Sequence, residues 1–183
     1  MEKLKIGVIG AGGIANSIHL PVLSRFENVI ITAVADLRPE RAKNTAEKFG
    51  IPSAFTSHCD LLENCDVDAV FILTEPDMLF RAAYDSLCSG RHVFMEKPMG
   101  ITLYQADTLK RAAQENKRIL HVGYNRRYIP LITKAVELVS EIGKITQVEG
   151  RFYKNSSPAF YSGCASAFTC DVVHVTDLVR HIA

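Results

Sequence analysis

Several features that would restrict the class of this protein are missing from its sequence. The five cysteines include no Cys-x-x-Cys pair, which argues against a metal site or a disulfide scaffold and favours a reducing compartment. Lys and Arg total 21 and Asp and Glu total 20, so the chain lacks the positive charge excess that would favour binding to nucleic acid or an anionic membrane. No apolar run approaches the roughly 20 residues of a membrane span. We therefore expect a cytoplasmic protein with no metal, nucleic-acid or membrane partner.

The length bounds the number of domains. At about 100–200 residues per domain, the 183 residues predict one domain, or one domain and part of a second. Hydrophobic residues make up 48% of the chain and charged residues 22%, which is ordinary for a globular protein and excludes wholesale disorder. A substantial buried core is therefore expected.

Short apolar runs alternate with segments of helical period over the first two thirds of the chain. The runs are nearly continuous rather than alternating, which predicts strands covered on both faces, as in a parallel sheet. Pro39 and Pro76 stand at expected helix starts, and Gly50 and Gly90 at expected ends. The predicted strands are 4–9, 29–35, 53–56 (the weakest), 69–73, 92–95 and 119–122. This order predicts a doubly wound α/β domain over residues 1–123.

The character of the chain changes at Tyr124. A helix is predicted from Pro130 to Gly143, and a second one over 170–183. Between them, residues 144–153 (KITQVEGRFY) alternate apolar and polar, which predicts a strand with one open face, followed by a loop at 155–167. With a single strand, residues 124–183 are expected to form an incomplete α+β domain whose exposed edges favour self-association.

A glycine motif follows the first strand and opens a helix. Gly10, Gly12, Gly13 and Ile14 belong to a GxGxxA pattern that ends at Ala15. In this strand–turn–helix setting the pattern is typical of Rossmann-type dinucleotide sites, because the turn brings backbone N–H groups to the pyrophosphate. A merely structural glycine turn is the alternative.

An acidic residue ends the second strand. The Asp36 carboxylate can accept hydrogen bonds from the ribose hydroxyls of the adenosine and would repel a 2′-phosphate, which favours NAD. Arg38 weakens this preference because it can face a phosphate, so NADP stays open. Asp36 can also simply cap a turn.

Five motifs in order resemble the glucose–fructose oxidoreductase/inositol dehydrogenase family, and the similarity covers the whole chain. They are residues 6–23 (IGVIGAGGIANSIHLPVL), 34–42 (VADLRPERA), 96–98 (EKP), 123–130 (GYNRRYIP) and 171–177 (DVVHVTD). The resemblance implies a Rossmann domain followed by a substrate domain in proteins about twice this length. We therefore expect this chain to be a natural truncation or a fragment, with an unfinished substrate and oligomerisation domain.

The resemblance also implies residue roles. Lys97 and His174 would flank the substrate carbon, with Asp171 beside His174, since a hydride transfer to or from an alcohol also moves a proton. Glu96 and Lys97 would hold the nicotinamide side, and the Lys97–Pro98 bond is expected to be cis. The remaining implied contacts are Thr74 and Glu75 with the cofactor and Asn125 and Arg127 with the substrate.

The sequence departs from the family pattern at two places, and several of these residues also have non-functional interpretations. Many members carry a His near position 79 and a four-residue Asp–His spacing, whereas this chain has Leu79 and a spacing of three. Asn125 and Arg127 can be ordinary surface residues, and Asp177 is expected to pair locally. Structural roles are expected for the other histidines, His19, His58, His92, His121 and His181.

The function expected from the resemblance is a hydride transfer between NAD(P) and a secondary hydroxyl of a sugar, polyol or related small molecule. Two alternatives stay open. Some relatives use bound NAD transiently and act as glycosidases, and others bind nucleotide to regulate proteins. A homo-oligomer is expected.

Overall fold

Six parallel strands form one sheet in the computed structural model, which describes residues 3–153 and 166–183. The strand order β3-β2-β1-β4-β5-β6 is that of a doubly wound sheet and confirms the predicted architecture. The strands are β1 (Leu4–Ile9), β2 (Val29–Ala35), β3 (Ser53–Phe55), β4 (Ala69–Ile72), β5 (His92–Met95) and β6 (Leu120–Val122).

Side chains are buried on both faces of this sheet. Neighbouring residues of a strand point to opposite faces, and Ile9 and Val8 accordingly belong to two separate buried clusters. Ala35 and Val34 divide between the same two clusters. Burial on both faces explains why these strands are continuous apolar runs in the sequence.

Helices connect the strands, and their starts follow the predicted signals. α2 begins at Pro39 and ends before Gly50, and α4 begins at Pro76. The helix that follows the glycine motif is not regular, because a π-helical turn at Ala15–His19 precedes its α-helical part. The helices of this region are α1 (Leu20–Leu23), α2 (Pro39–Phe49), α3 (His58–Asn64), α4 (Pro76–Cys88) and α5 (Leu103–Glu115).

The chain divides into two units, Met1–Val122 and Gly123–Ala183. The regular elements in the described part of the second unit are helices. A 3₁₀ turn at Asn125–Tyr128 leads into α6 (Pro130–Ile142), and a π-helical turn at Phe168–Val172 leads into α7 (Val173–Ile182). The predicted loop at 155–167 lies almost entirely outside the described residues.

The strand predicted at 144–153 does not form. Residues 143–153 have no regular secondary structure and pair with no strand of the described chain. The half-buried side chains of Ile145, Val148 and Phe152 are three and four residues apart, so the alternation in the sequence does not define a sheet face. Gly150 instead lies directly against α7, and a strand needs a partner to satisfy its N–H and C=O groups.

Candidate functional site

A cavity of about 550 Å³ opens in the first unit where β1, β2 and β4 end. Ligands of doubly wound sheets bind at this position, outside the carboxyl ends of the strands on either side of the point where the strand order reverses. The predicted cofactor residues that line the cavity are Gly10, Gly12, Asp36, Arg38, Thr74 and Glu75. Residues that the sequence analysis did not assign to it include Arg41, His58 and Arg81.

Gly10 and Gly12 serve the cavity in different ways. Gly10 has a φ of 98°, and a Cβ atom there would lie 2.8 Å from the carbonyl carbon and oxygen of Leu73. A Cβ atom on Gly12 would meet nothing within 4 Å. Gly10 is therefore required by the fold, whereas Gly12 keeps open a space beside the helix start where a pyrophosphate fits.

The Asp36 carboxylate ties the glycine loop to the end of β2. Its Oδ2 accepts a hydrogen bond from the Ala11 N–H at 2.8 Å, and its Oδ1 accepts one from the Arg38 N–H at 2.9 Å. Asp36 thus caps the turn, as one of the two interpretations predicts, and this does not exclude the other. Each oxygen keeps a second lone pair, so the same carboxylate can still receive a ribose hydroxyl.

Asn16 is a loop-fixing residue that sequence reasoning missed. Its side-chain amide donates to the carbonyl oxygens of Ala11 and Gly12 at 3.0 and 3.2 Å and lies 3.0 Å from the Thr45 hydroxyl. These contacts hold the glycine loop against α2. A single Asn inside a helical pattern carries no signal that would have revealed this role.

The Thr74 hydroxyl supports the fit of a dinucleotide to this cavity. Among the described residues its Oγ1 atom is buried and has no hydrogen-bond partner, although buried hydroxyls are normally satisfied. It lies just beyond β4, on the cavity wall next to Gly10. Together with the space over Gly12 and the Asp36 carboxylate, it offers the set of groups that a pyrophosphate and a ribose need.

Glu96 and Lys97 follow β5 and do not line this cavity. Glu96 Oε1 lies 2.9 Å from His19 Nε2, and its Oε2 accepts a bond of 3.3 Å from the Lys97 N–H. Burial alone would raise the pKa of Glu96, but the hydrogen bonds and charges of His19 and Lys97 outweigh it and hold this pKa below its ordinary value. The Lys97–Pro98 bond is cis, as predicted.

His19 has a clearer role than the structural one expected for it. Its ring lies against Phe71 and Phe94, with centroid distances of 6.2 and 5.5 Å, while its Nε2 atom reaches Glu96. The ring contacts fix the direction of the nitrogen. His19 therefore anchors the carboxylate that precedes Lys97.

Two other predicted cofactor residues lie at the helix start. Gly13 and Ile14 are exposed and do not line the cavity. Ile14 directly precedes the π-helical turn, whose first residue, Ala15, is fully buried. Ala15 thus supplies the close helix–sheet packing that the motif predicts.

In the second unit, Asp171 and His174 lie on one continuous helical run. Asp171 is buried in the π-helical turn, and His174 is half-buried at the start of α7. Asn125 is exposed in the 3₁₀ turn. These positions put the proposed proton-transfer pair on a regular element rather than a loop.

Arg127 is held by Asp177. The two side chains form a bidentate ion pair, in which Arg127 Nε donates to Asp177 Oδ2 at 2.7 Å and Arg127 also donates to Oδ1. Asp177 is 7% exposed, and this contact raises the pKa of Arg127. Asp177 is therefore paired, as expected, but its partner is not local: it is Arg127, 50 positions away, which the resemblance assigns to substrate.

A family model matches residues 4–124 and describes an oxidoreductase family with an NAD-binding Rossmann fold. The chain belongs to this family, which is the glucose–fructose oxidoreductase/inositol dehydrogenase family that the motifs resemble. Its first unit is accordingly an NAD-binding Rossmann domain. No helix in the described part of the chain is long and apolar enough to cross a membrane.

Individual relatives agree with this assignment. The chain is 28% identical over 183 residues to the myo-inositol 2-dehydrogenase of Thermotoga maritima, covering 98% of this chain and 54% of that protein. A crystal structure of a probable dehydrogenase from Thermotoga maritima matches with a TM-score of 0.84 and 27% identity, over 98% of this chain and 55% of that one.

A 3-ketoreductase from Actinomadura kijaniata, solved with NADP and TDP-benzene, matches with a TM-score of 0.72 and 30% identity. This match covers 76% of the present chain and 43% of the ketoreductase. The chain spans about half the length of the curated relatives it matches.

Proposed function

We propose that this protein is an NAD(P)-dependent oxidoreductase that transfers a hydride between nicotinamide and a secondary hydroxyl of a sugar, polyol or related compound. The observation that carries the proposal is the cavity where open space over Gly12, the Asp36 carboxylate and the unsatisfied Thr74 hydroxyl converge. The relatives support the substrate class, because one is named for an inositol and another for a keto group. No relative reported above is named as a glycosidase or a regulator.

The cofactor choice follows from charge at the ribose end of the cavity. Asp36 favours NAD, since its carboxylate repels a 2′-phosphate. Arg38, Arg41 and Arg81 also line the cavity and give NADP a route to binding. We expect NAD to bind more tightly, because Asp36 is fixed at the end of β2 by two backbone N–H groups, whereas the Arg81 guanidinium is paired with Asp85.

The reaction needs a proton donor or acceptor on the alcohol oxygen. When bound, the cofactor supplies the hydride acceptor or donor at its nicotinamide ring. We assign the proton transfer to Lys97 and His174, with Asp171 as the carboxylate on the same helical run as His174. Glu96, fixed by His19, orients the backbone that carries Lys97.

Substrate contacts are assigned to Asn125 and Arg127. The exposed amide of Asn125 offers both a donor and an acceptor to a hydroxyl. Arg127 has five N–H donors, and the pair with Asp177 occupies two of them. Its remaining donors are the ones that a substrate oxygen would use. Residues 1–123 then hold the dinucleotide, and residues 124–183 serve the substrate and self-association.

The experiment is a titration of the 183-residue chain with NAD and NADP by calorimetry, followed by NADH formation with a panel of inositols and hexoses. Binding of NAD without any turnover would support the cofactor site and contradict the activity of this chain. Failure to bind either dinucleotide would contradict the whole proposal.

Lys97→Ala and His174→Ala are expected to abolish any turnover while changing NAD affinity by less than about tenfold, or ~1.4 kcal/mol. The exposed residues Lys110 and His181 provide matched controls, and Lys110→Ala and His181→Ala should keep full activity. Turnover retained in Lys97→Ala or His174→Ala would remove that residue from the catalytic set.

We also propose a cytoplasmic homo-oligomer. The apolar side chains of α6 support association, because Leu131 and Ile142 are 79% and 89% exposed. Sedimentation velocity at micromolar concentration measures the state directly.

A further inference from the structure

Three side chains of metal-ligand type meet beside the dinucleotide cavity. His58 and Cys59 are the first two residues of α3, and Asp85 projects from α4. One ligand atom from each residue lies within 4.8 Å of the other two. The pairing of adjacent His and Cys with a distant Asp has no sequence spacing that would reveal it, and from the sequence alone His58 is expected to be structural.

Two of the three distances between ligand atoms are close to the edges of a metal tetrahedron, and the third, between Cys59 and Asp85, is at most 4.8 Å. His58 Nε2 lies 3.6 Å from Cys59 Sγ and 2.9 Å from Asp85 Oδ2. Zinc bonds of roughly 2.0–2.3 Å to N, O and S place tetrahedral ligand atoms about 3.3–3.6 Å apart. The nitrogen–sulfur edge is therefore already of the required length. The nitrogen–oxygen edge needs to widen by only a few tenths of an ångström, from a hydrogen bond to a shared metal.

The backbone under these ligands is fixed. Ser57 caps α3, and its Oγ accepts a hydrogen bond from the Cys59 N–H at 3.1 Å. The side chains of His58 and Asp85 are 24% and 18% exposed, so both are partly withdrawn from water. Cys59 is exposed, which leaves an entry path for an ion and room for a water ligand.

The charges of the cluster suit a divalent ion. Binding converts the Cys59 thiol to a thiolate with release of one proton to solvent. It also uses the Asp85 carboxylate and Nε2 of the neutral His58 imidazole, whose ring proton moves from Nε2 to Nδ1. The two negative charges then neutralise the ion. The competing cation is Arg81, whose Nε lies 2.7 Å from Asp85 Oδ2. The second carboxylate oxygen, Oδ1, can keep the Arg81 guanidinium while Oδ2 binds the ion.

We propose that His58 Nε2, Cys59 Sγ and Asp85 Oδ2 bind a thiophilic divalent cation of the zinc class, with water as the fourth ligand. Softness favours zinc over magnesium or calcium, because thiolate and imidazole are poor ligands for the latter two. Since His58 also lines the dinucleotide cavity, the bound ion would fix one wall of it.

The test is a titration of the chelator-treated full chain with Co²⁺ alone, followed by displacement with Zn²⁺. We expect one equivalent of Co²⁺ to give the charge-transfer band of a Co²⁺–thiolate bond and the visible bands of tetrahedral Co²⁺. Zn²⁺ should remove both sets of bands. A titration without a thiolate band would overturn the proposal.

Variants identify the ligands. Cys59→Ser and Asp85→Asn should each weaken Zn²⁺ binding at least tenfold, and Cys88→Ser, at an exposed cysteine outside the cluster, should leave it unchanged. His58→Gln gives a third ligand variant, so the test does not depend on the folding of Asp85→Asn. A thiolate band that survives in Cys59→Ser, or that is lost equally in Cys88→Ser, would contradict the site.

Discussion

An added methyl group would collide with the backbone at Gly10 but not at Gly12. Substitution by Ala should therefore affect stability at Gly10 and cofactor affinity at Gly12. Gly10→Ala should lower the free energy of unfolding by at least about 2 kcal/mol, because the Cβ atom collides with the Leu73 carbonyl at a left-handed φ. Gly12→Ala should fold normally, since no atom lies within 4 Å of its Cβ. It should nevertheless lose NAD affinity at least tenfold by filling the pyrophosphate space. Urea unfolding and NAD calorimetry on both variants separate the two effects, and an unstable Gly12→Ala would contradict the assignment.

The His19–Glu96 pair predicts a pH-dependent stability. The pKa of Glu96 is lowered in the folded state, so its contribution is present above the unfolded-state pKa and is lost as pH falls through the folded-state value. His19→Phe keeps an aromatic ring but removes the nitrogen at Glu96, so that burial then raises this pKa. The variant should be less stable by about 1–3 kcal/mol at pH 7, because the buried carboxylate loses its partner.

This deficit of His19→Phe should shrink as pH falls and Glu96 becomes protonated, because a neutral carboxyl group no longer needs the charged partner. Urea unfolding at several pH values measures it. His121→Phe is the control, because the His121 ring also contacts Phe94 but is exposed. Within the described residues, His121 forms no ion pair. A deficit of equal size at pH 7 and pH 3 would contradict the role given to the pair.

Among the elements, the irregular segment that carries Gly150 depends on a close approach to α7. A Cβ atom on Gly150 would lie 2.8 Å from Val175 Cγ2 and 2.9 Å from Val179 Cγ2. Gly150→Ala should therefore destabilise the second unit by about 1–3 kcal/mol through overpacking. Gly143→Ala is the matched control, since nothing lies within 4 Å of its Cβ and its φ of 166° suits any residue. Limited proteolysis of the second unit compares the two variants, and equal protection would contradict the packing.

The elements also show what a sequence can predict. Strands covered on both faces were predictable, and β2 has the predicted bounds, although only its last three residues are fully buried. Thr102 and Gln105 have the spacing of a capping box, which predicts the start of α5. Thr102 Oγ1 accepts a hydrogen bond from the Gln105 N–H, but the Gln105 side chain accepts one from the Ile101 N–H instead of from Thr102. The prediction of a strand at 144–153 was wrong, because strand pairing depends on distant partners that local alternation does not encode.

The residues of the candidate site likewise fall into those that a local motif predicts and those that only the folded chain brings together. The motif predicts Gly10, Gly12 and Asp36 because their spacing is local to one strand–turn–helix unit. His58 and Arg81 reach the cavity from α3 and α4, which only the right-handed crossovers of the folded sheet bring together. The bidentate pair of Arg127 with Asp177 joins residues 50 positions apart and has no local signature either.

For the molecule as a whole, every residue that lines the cavity falls between Ile9 and Ala82, within the first unit. Dinucleotide binding therefore enters the unfolding equilibrium of that unit as a linkage free energy, about 2.7 kcal/mol at a ligand concentration 100 times Kd. In hydrogen–deuterium exchange, saturating NAD should slow the amides of β1 and β4 up to about a hundredfold, because their exchange requires opening of the binding-competent state. The amides of α6 should exchange at an unchanged rate. Equal slowing in α6 would mean that the two units unfold as one cooperative block, so that cofactor binding stabilises both of them.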